Sequence, residues 1–258
     1  MKAPELLIFD IDGTCNKRVY QVIQKFIESG HFVTFATGRG YLRTIQALTG
    51  FKPNAPLILE DGGRITNING LNIYLSQLSE DEILSVKSVI KKNHDQIDLA
   101  VFYPLHDQKM QILSLGGKGD LTVSNLRSIK GQLTRDVDSF IEWAHSLGSV
   151  MITVISKEGS QLNIPNEISW TIAAGEYNFH PQGINKASGV KCIVSLLGIS
   201  YDQTAVIGND NNDLSMFELP VGMKIAVGDN AELQSLATHC IKSPDELADF
   251  LKKLKVQT

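Results

Sequence analysis

Cysteine pairs and long apolar runs are both scarce in this sequence. The three cysteines, Cys15, Cys192 and Cys240, have no C-x-x-C spacing. An odd number of cysteines without that spacing argues against a disulfide framework and against a thiolate zinc site. The N-terminal apolar run is short and is interrupted by Asp10 and Asp12, so it fits neither a signal peptide nor a membrane-spanning helix. We therefore expect a cytoplasmic protein with no membrane partner.

Long blocks of like charge are also missing. The chain has 24 basic and 28 acidic residues, dispersed along the sequence, and a formal net charge of -4. A surface that binds nucleic acid needs clustered basic residues, so a nucleic-acid partner is not expected. With 258 residues, of which 43% are hydrophobic, the chain can bury one large core or two modest ones. Small molecules are the expected partners, and the oligomeric state is not indicated.

Strands and helices alternate at both ends of the chain. Residues 6–9 read LLIF, a continuous apolar run that is typical of a strand covered on both faces. An amphipathic helix follows and ends at Gly30, and two more strand candidates, HFVTF and PLIL, enclose a second helix. The same alternation resumes after residue 181. This order predicts an α/β fold with a parallel, Rossmann-like sheet.

The middle of the chain follows a different order. The pair Asn69-Gly70 predicts a β-hairpin. Beyond it, helical patterns near 83–90 and 135–147 accompany strand candidates such as IDLAVFY, SVMITVIS, QLNIP and ISWTIAA. Helices that accompany antiparallel strands are typical of an α+β domain. We predict a core of residues 1–77 and 181–258, interrupted by an inserted α+β domain of residues 78–180.

Polar clusters occur at or just after four of the predicted strands of the core. Ligand sites in open parallel sheets lie beyond the carboxyl ends of the strands, so these clusters are expected to share one crevice. Each cluster alone has a plainer explanation, because Asp, Asn and Thr also form turns and helix caps. Lys186 adds a cation where the helix after residue 185 begins. The clusters are Asp10 and Asp12 in FDIDGT, Thr37 in ATGR, Asp61 after LILE, and Asn209 to Asp213 in IGNDNND.

Together these residues offer what phosphoryl transfer requires: a nucleophile, hydrogen-bond donors, a cation and metal ligands. Carboxylates two residues apart in a strand point to opposite faces, so the chain must turn at Asp12 for Asp10 and Asp12 to share a site. Gly13 permits that turn. Mg2+ takes oxygen ligands, usually with one or two carboxylates, so the stretch from Asn209 to Asp213 suits a magnesium site as well as a turn.

The four motifs resemble those of the haloacid dehalogenase-like (HAD) phosphatases, in their Cof-type or IIB subfamily. FDIDGT is similar to the first motif of that family, ATGR to the second, GINK to the third and IGNDNNDLSMF to the fourth, in the family's order. The resemblance covers essentially the whole chain. It implies the HAD fold, with an α+β cap that closes over the substrate and sets specificity.

The resemblance also implies a role for each residue. Asp10 would attack phosphorus to give an aspartyl-phosphate, while Asp12 would protonate the leaving oxygen and later activate water. Lys186 would neutralise charge and restrain Asp10. The residues that would contact phosphate or substrate are Gly13, Thr37, Gly38, Arg39, Asp61 and Lys186. The Mg2+ ligands would come from Asp10, Asp12, Asn209, Asp210 and Asp213.

Two positions depart from the family pattern. Asn209 stands where the family usually has Asp, so either Asn209 or Asp210 is the metal ligand. Asp61 stands where relatives often have Asn. Its charge would select a cationic or hydroxyl-rich leaving group, unless Asp61 only forms a turn.

The implied function is Mg2+-dependent hydrolysis of a small phosphate monoester, such as a sugar phosphate or a related metabolite. Sucrose phosphate, mannosyl-phosphoglycerate and phosphoglycolate are further substrates known in the family. A phosphomutase of the same family is one alternative. The other is a catalytically weak regulatory protein that binds phosphorylated metabolites.

Overall fold

The computed structural model describes residues 2–106, 109–116, 132–173 and 176–255. Its strands are β1 Leu6–Phe9, β2 Phe32–Phe35, β3 Leu57–Leu59, β4 Arg64–Thr66, β5 Asn72–Leu75, β6 Ile97–Pro104, β7 Gln111–Ser114, β8 Gln132–Thr134, β9 Ser149–Ser156, β10 Trp170–Ala173, β11 Glu176–Phe179, β12 Thr204–Gly208, β13 Met223–Val227 and β14 His239–Ile241. Its α-helices are α1 Lys17–Glu28, α2 Tyr41–Ala47, α3 Glu80–Lys92, α4 Val137–Leu147, α5 Lys186–Leu197, α6 Leu214–Phe217, α7 Ala231–Leu236 and α8 Pro244–Leu251. Within these ranges no helix has the length and apolar character needed to cross a bilayer.

The chain forms two compact units. The split unit consists of Met1–Tyr74 and Ile184–Thr258, and the inserted unit is Leu75–Gly183. The sequence-based boundaries lie at 77/78 and 180/181, within a few residues of the junctions between these units. Whether the inserted unit sets substrate specificity stays a prediction.

The split unit is built on a parallel sheet with the strand order β14-β13-β12-β1-β2. Every neighbouring pair in it is parallel. Strand β1 lies between β12 and β2, and its last residue, Phe9, is level with Ile207 of β12 and Phe35 of β2. The carboxyl ends of these three strands therefore meet at one edge, and the prediction of a parallel α/β core is confirmed.

Strand β1 is apolar at every position because both faces of this sheet are covered. Leu7 and Phe9 belong to a core cluster with the buried faces of α1 and α8. Leu6 and Ile8 point the other way and belong to a cluster with α5, α6 and α7. All four side chains are fully buried. Removing one such large side chain typically costs about 2–5 kcal/mol, so this packing holds the strand ends in place.

Strand β3 is not a full member of the parallel sheet, contrary to the sequence prediction. A single parallel bridge between Ala36 and Ile58 joins it to the end of β2. Its ladder partner is β4, which runs antiparallel to it in a small sheet of order β3-β4-β5. The chain reverses directly after β3 because Glu60, Asp61 and Gly62 all have positive φ angles, of 50°, 49° and 98°.

The inserted unit has a sheet of order β10-β11-β9-β6-β7-β8. All of its pairs are antiparallel except β7 with β8. Helices α3 and α4 bury their apolar faces in one cluster with this sheet. The unit is therefore α+β.

The predicted strand QLNIP, residues 161–165, is wrong. These residues form no strand. The Asn93 side chain holds them instead, accepting from the Asn163 amide at 2.8 Å and donating to the Asn163 carbonyl at 3.2 Å. Leu162 and Ile164 pack against the core cluster of the inserted unit. A side chain thus supplies the backbone hydrogen bonds that a neighbouring strand would otherwise provide.

Candidate active site

The two carboxylates of the first motif lie in different environments. The Asp10 amide donates to the Ile207 carbonyl at 2.8 Å, which extends the β1–β12 ladder by one residue. The Asp10 residue is only 5% exposed. The chain then turns at Gly13, whose φ is +79°, and 60% of the Asp12 side chain is exposed.

Lys186 is the centre of a buried charge cluster. It is the first residue of α5, whose N-cap is Asn185, and it is fully buried. Its Nζ atom donates to Asp10 Oδ1 at 2.7 Å and to Asp213 Oδ1 at 2.6 Å. Burial alone would lower the pKa of Lys186, but Asp10 and Asp213 outweigh that effect and raise it. The lysine is therefore a permanent cation held by two acids.

The Asp10 carboxyl is subject to opposing effects. Burial raises its pKa to about 7, even though Lys186 acts in the opposite direction, and the charge of Asp213 adds to the rise. Only one of the two Asp10 carboxylate oxygens is bound to Lys186. The other oxygen, Asp10 Oδ2, is not bound to Lys186 and can contact a substrate or a metal ion.

Asp213 closes the loop of the fourth motif. Its Oδ2 atom accepts from the backbone amides of Asn209 and Asp210, at 2.8 and 3.2 Å. Because its Oδ1 atom accepts from Lys186, both carboxylate oxygens already have protein partners. In this arrangement Asp213 orients Lys186 and shapes the loop.

Asn209 lies beside the turn of the first motif. Its side-chain oxygen accepts from the Thr14 hydroxyl at 2.9 Å. A Cβ atom added at Gly13 would be only 2.3 Å from the Asn209 Nδ2 atom, so Gly13 is needed for this close approach as well as for the turn. Asp210 has a different position: its Oδ1 atom accepts from the Asn211 amide at 2.7 Å and caps a short 3-10 turn.

The second motif forms a tight loop after β2. The buried Thr37 donates its amide to the Ile58 carbonyl at 3.0 Å, and its hydroxyl accepts from the Arg39 amide at 3.2 Å. Because the hydroxyl accepts in that bond, its own proton is available to an incoming oxygen. Gly38 lies between these two residues and is half-buried.

Arg39 binds Asp12 through two hydrogen bonds. Its Nε and Nη2 atoms donate to the two carboxylate oxygens of Asp12 at 2.7 and 2.6 Å. These bonds and the nearby positive charge hold the pKa of Asp12 below its ordinary value. Asp12 is therefore ionised, and this pair lies on the exposed side of the site.

Asp61 is fully buried in a strained turn. Left-handed φ angles at residues other than glycine, here Glu60 and Asp61, cost on the order of 1–3 kcal/mol each. The turn is held by the Asp61 amide, which donates to the Thr37 carbonyl at 3.1 Å, and by the buried ion pair of Glu60 with Arg64 at 2.5 Å. The Asp61 side chain accepts from Asn212 at 3.3 Å and so contacts the fourth motif.

The structure thus pairs six of the predicted residues in three separate contacts. Asp10 meets Lys186, Asp12 meets Arg39, and Thr37 meets Asp61 through the backbone. Sequence reasoning missed Thr14, Asn212, Glu60 and Arg64. The only signal for the last pair is the opposite charge of two residues four apart beside Asp61, which is weak outside a helix.

The oxygen atoms of the site suit a hard cation. Among the described residues, no three His, Cys, Asp or Glu side chains are grouped to hold a metal ion. A cation here would therefore also need amide, backbone and water oxygens, and Mg2+ accepts such a set. Asp10 has one carboxylate oxygen not bound to Lys186, and Asn209 places its amide beside Gly13. These oxygen donors fit Mg2+. The Cys15 thiol lies nearby and donates to the Asp10 carbonyl at 3.3 Å, but burial raises its pKa, so it keeps its proton and is not the thiolate that Zn2+ prefers.

Comparison with known proteins identifies the family of this chain. The model of the haloacid dehalogenase-like hydrolase family matches residues 7–251. The Bacillus subtilis 5-amino-6-(5-phospho-D-ribitylamino)uracil phosphatase YitU is 23% identical, with 97% of each chain covered.

Solved structures of the family share the fold. BT1666 from Bacteroides thetaiotaomicron, described as a HAD phosphatase, superposes with a TM-score of 0.75 at 17% identity, covering 97% of this chain and 94% of its own. The HAD subclass IIB sugar phosphatase BT4131 also gives a TM-score of 0.75 at 17% identity, covering 96% of this chain and 98% of its own. These likenesses show the fold, and the match of the family model covers nearly all of the sequence. The chain therefore belongs to the haloacid dehalogenase-like hydrolases.

Proposed function

We propose that the protein is a Mg2+-dependent phosphatase that hydrolyses a small phosphate monoester, such as a sugar phosphate or a related metabolite, through an aspartyl-phosphate. The observation that carries this proposal is the buried bridge from Lys186 to Asp10 and Asp213. A fixed cation beside a carboxylate orients that carboxylate and offsets the charge of an approaching phosphate. The sugar phosphatase and the ribitylaminouracil phosphatase among the related proteins support this substrate class.

In the first step, an oxygen of Asp10 attacks phosphorus, and the bond from phosphorus to the leaving oxygen breaks. Lys186 holds Asp10 Oδ1, which leaves Oδ2 for the attack. Asp12 gives a proton to the leaving oxygen. Because Arg39 keeps Asp12 ionised in this structure, Asp12 becomes an acid only when Arg39 releases it.

In the second step, Asp12 takes a proton from water, and the water oxygen attacks the phosphorus bound to Asp10. Inorganic phosphate leaves and the Asp10 carboxylate is restored. The ionised Asp12 of this structure is the form needed here. Thr37 and the amides of Gly13 and Gly38 donate to the phosphate oxygens, and such donors contribute most when they are fixed beforehand.

Mg2+ would be held by the Asp10 carboxylate, the Asp12 backbone carbonyl and the Asn209 side-chain oxygen. When bound, it would offset the negative charge of the phosphate. Asp210 is the other candidate ligand from the fourth motif. Asp213 would act through Lys186, because both of its oxygens have protein partners.

Release of inorganic phosphate from a panel of phosphate monoesters tests the proposal. The panel is assayed with Mg2+ and with a chelator, for the wild type and for Asp10→Asn. Asp95→Asn is a matched control because Asp95 is an exposed carboxylate of the inserted unit. We expect turnover only with Mg2+, its loss in Asp10→Asn, and its retention in Asp95→Asn. Equal turnover by the wild type and Asp10→Asn would contradict the proposal.

A further inference from the structure

The turn from Glu60 to Gly62 holds the loop of the second motif. The Glu60 amide donates to the Arg39 carbonyl at 3.2 Å, and the Asp61 amide donates to the Thr37 carbonyl at 3.1 Å. Two consecutive amides of the turn therefore bind carbonyls at the two ends of that loop. These bonds fix the backbone that carries the Thr37 hydroxyl.

The same turn also contacts the third and fourth motifs. A Cβ atom added at Gly62 would lie 2.1 Å from the Asn185 carbonyl oxygen, so the turn packs directly against the N-cap of α5. Lys186 is the next residue along the chain. The Asp61 side chain accepts from Asn212 at 3.3 Å. A shift of this turn would therefore displace three of the four motifs at once.

A buried ion pair holds the turn in its conformation. Residues other than glycine keep left-handed φ angles only where their surroundings hold them, and Glu60 and Asp61 have φ angles of 50° and 49°. Glu60 Oε2 accepts from Arg64 Nε at 2.5 Å, and both side chains are buried. Within the described residues the other oxygen, Glu60 Oε1, has no hydrogen-bond partner, so the orientation of this side chain depends on Arg64. Arg64 begins β4 and donates to Asn72 of β5 at 3.4 Å, which anchors it in the small sheet.

We propose that Arg64, which lies outside the four motifs, is a positioning residue for phosphate binding: through Glu60 it holds the turn that sets the spacing between Thr37 and Lys186. The inference rests on the proposed function, in which Thr37 and Lys186 act on the phosphate. Donors and cations of this kind contribute most when they are fixed beforehand. In this role Arg64 acts through the backbone of the turn and need not touch the phosphate.

Calorimetric titration with inorganic phosphate, in the presence of Mg2+, tests this inference because it gives both the Kd and the number of sites per chain. Arg64→Met removes the cation but leaves Glu60 buried and unpaired, which can prevent folding. The double variant Glu60→Met with Arg64→Met removes both charges, and replacing a buried ion pair by apolar side chains is often neutral for stability. Arg18→Met is the matched control, because Arg18 forms an exposed ion pair with Asp249 at 3.0 Å.

We expect the Kd for phosphate to rise by about tenfold or more in Arg64→Met and in the double variant, because small displacements of positioned groups have effects of this size or larger. The number of sites per chain should stay the same, and Arg18→Met should bind phosphate like the wild type. For an ester that is turned over, the KM should rise with the Kd. A role in folding alone would instead lower the number of sites and the apparent kcat at unchanged Kd and KM. That result, or failure of both Arg64 variants to fold, would overturn the inference.

The same titration separates this inference from the proposed function. If the wild type turns over no ester but binds phosphate, and the Arg64 variants bind it more weakly, the proposed function fails and the positioning role stands. If the Arg64 variants bind phosphate as tightly as the wild type, the positioning role fails whatever the turnover. A wild type that binds no phosphate would overturn both.

Discussion

The candidate site contains two carboxylate–cation contacts with opposite surroundings. On the buried side, Lys186 binds Asp10 and Asp213, and its side chain is fully buried. On the open side, Arg39 binds Asp12, whose side chain is 60% exposed. The hydrogen bonds are equally short, at 2.6 to 2.7 Å.

The difference in burial decides what each contact can do. Breaking a buried ion pair by removing one partner typically costs about 3–5 kcal/mol, because the remaining charge is left without water. An exposed pair contributes about 0–1 kcal/mol. The buried contact is therefore suited to hold Asp10 in one orientation throughout a reaction. In the open contact, a substrate can take the place of Arg39 beside Asp12, and Asp12 can then gain and lose a proton.

The largest expected effect is on the buried side. Lys186→Met leaves Asp10 and Asp213 as neighbouring buried acids without a cation, so we expect a loss of about 3–5 kcal/mol in the free energy of unfolding. Urea unfolding measures this loss, with Lys191→Met as the control because Lys191 is an exposed lysine of the same helix. A loss below about 1 kcal/mol would show that the buried contact stabilises the fold no more than an exposed ion pair does.

Asn209 lies between the two sides, against Gly13 and Thr14. If its side-chain oxygen binds Mg2+ directly, Asn209→Asp adds a carboxylate to the metal, and the Mg2+ concentration for half-maximal activity should fall by up to about tenfold. The same titration on Asp210→Asn is the matched comparison. An unchanged Mg2+ requirement in Asn209→Asp together with a raised one in Asp210→Asn would assign the ligand to Asp210.

The smallest effect on stability is expected on the open side. Arg39→Met should change the free energy of unfolding by no more than about 1 kcal/mol, because the pair is exposed. It removes the hydrogen bonds that lower the pKa of Asp12, so that pKa should rise towards its ordinary value. Asp12 would then keep its proton to a higher pH, and because the first step needs that proton, the basic limb of the kcat/KM profile should move upward. If that limb does not move, Arg39 does not control the pKa of Asp12.

The sequence predicted which residues lie in this site better than it predicted which of them bind each other. Asp10, Thr37 and Asn209 follow strands whose ends must meet in a parallel sheet, and Lys186 begins the helix after Asn185, so the shared location follows from chain order. The ion pair of Asp213 with Lys186 could not be predicted, because an aspartate can serve equally well as a metal ligand or as the partner of a buried lysine.

The turn after β3 was the least predictable feature. Nothing in the letters LEDGG indicates left-handed angles at Glu60 and Asp61, since Asp more commonly forms ordinary turns. Those angles depend on contacts from distant parts of the chain, among them the Asp61 amide with the Thr37 carbonyl. The same angles reverse the chain into β4, the antiparallel partner of β3. The strand itself and its parallel bridge to β2 agree with the prediction, but its antiparallel ladder with β4 was not predicted, because tertiary contacts, and not local pattern, fix the reversal.

A rapid acid quench during a single turnover tests the role of Asp10 most directly. The quenched protein is digested, and its peptides are searched by mass spectrometry for one added phosphoryl group. We expect that group on Asp10, in amounts that rise and fall before free phosphate reaches its maximum, and its absence from Asp10→Asn. Full release of phosphate without any phosphorylated Asp10, at the earliest times that can be quenched, would contradict the aspartyl-phosphate mechanism.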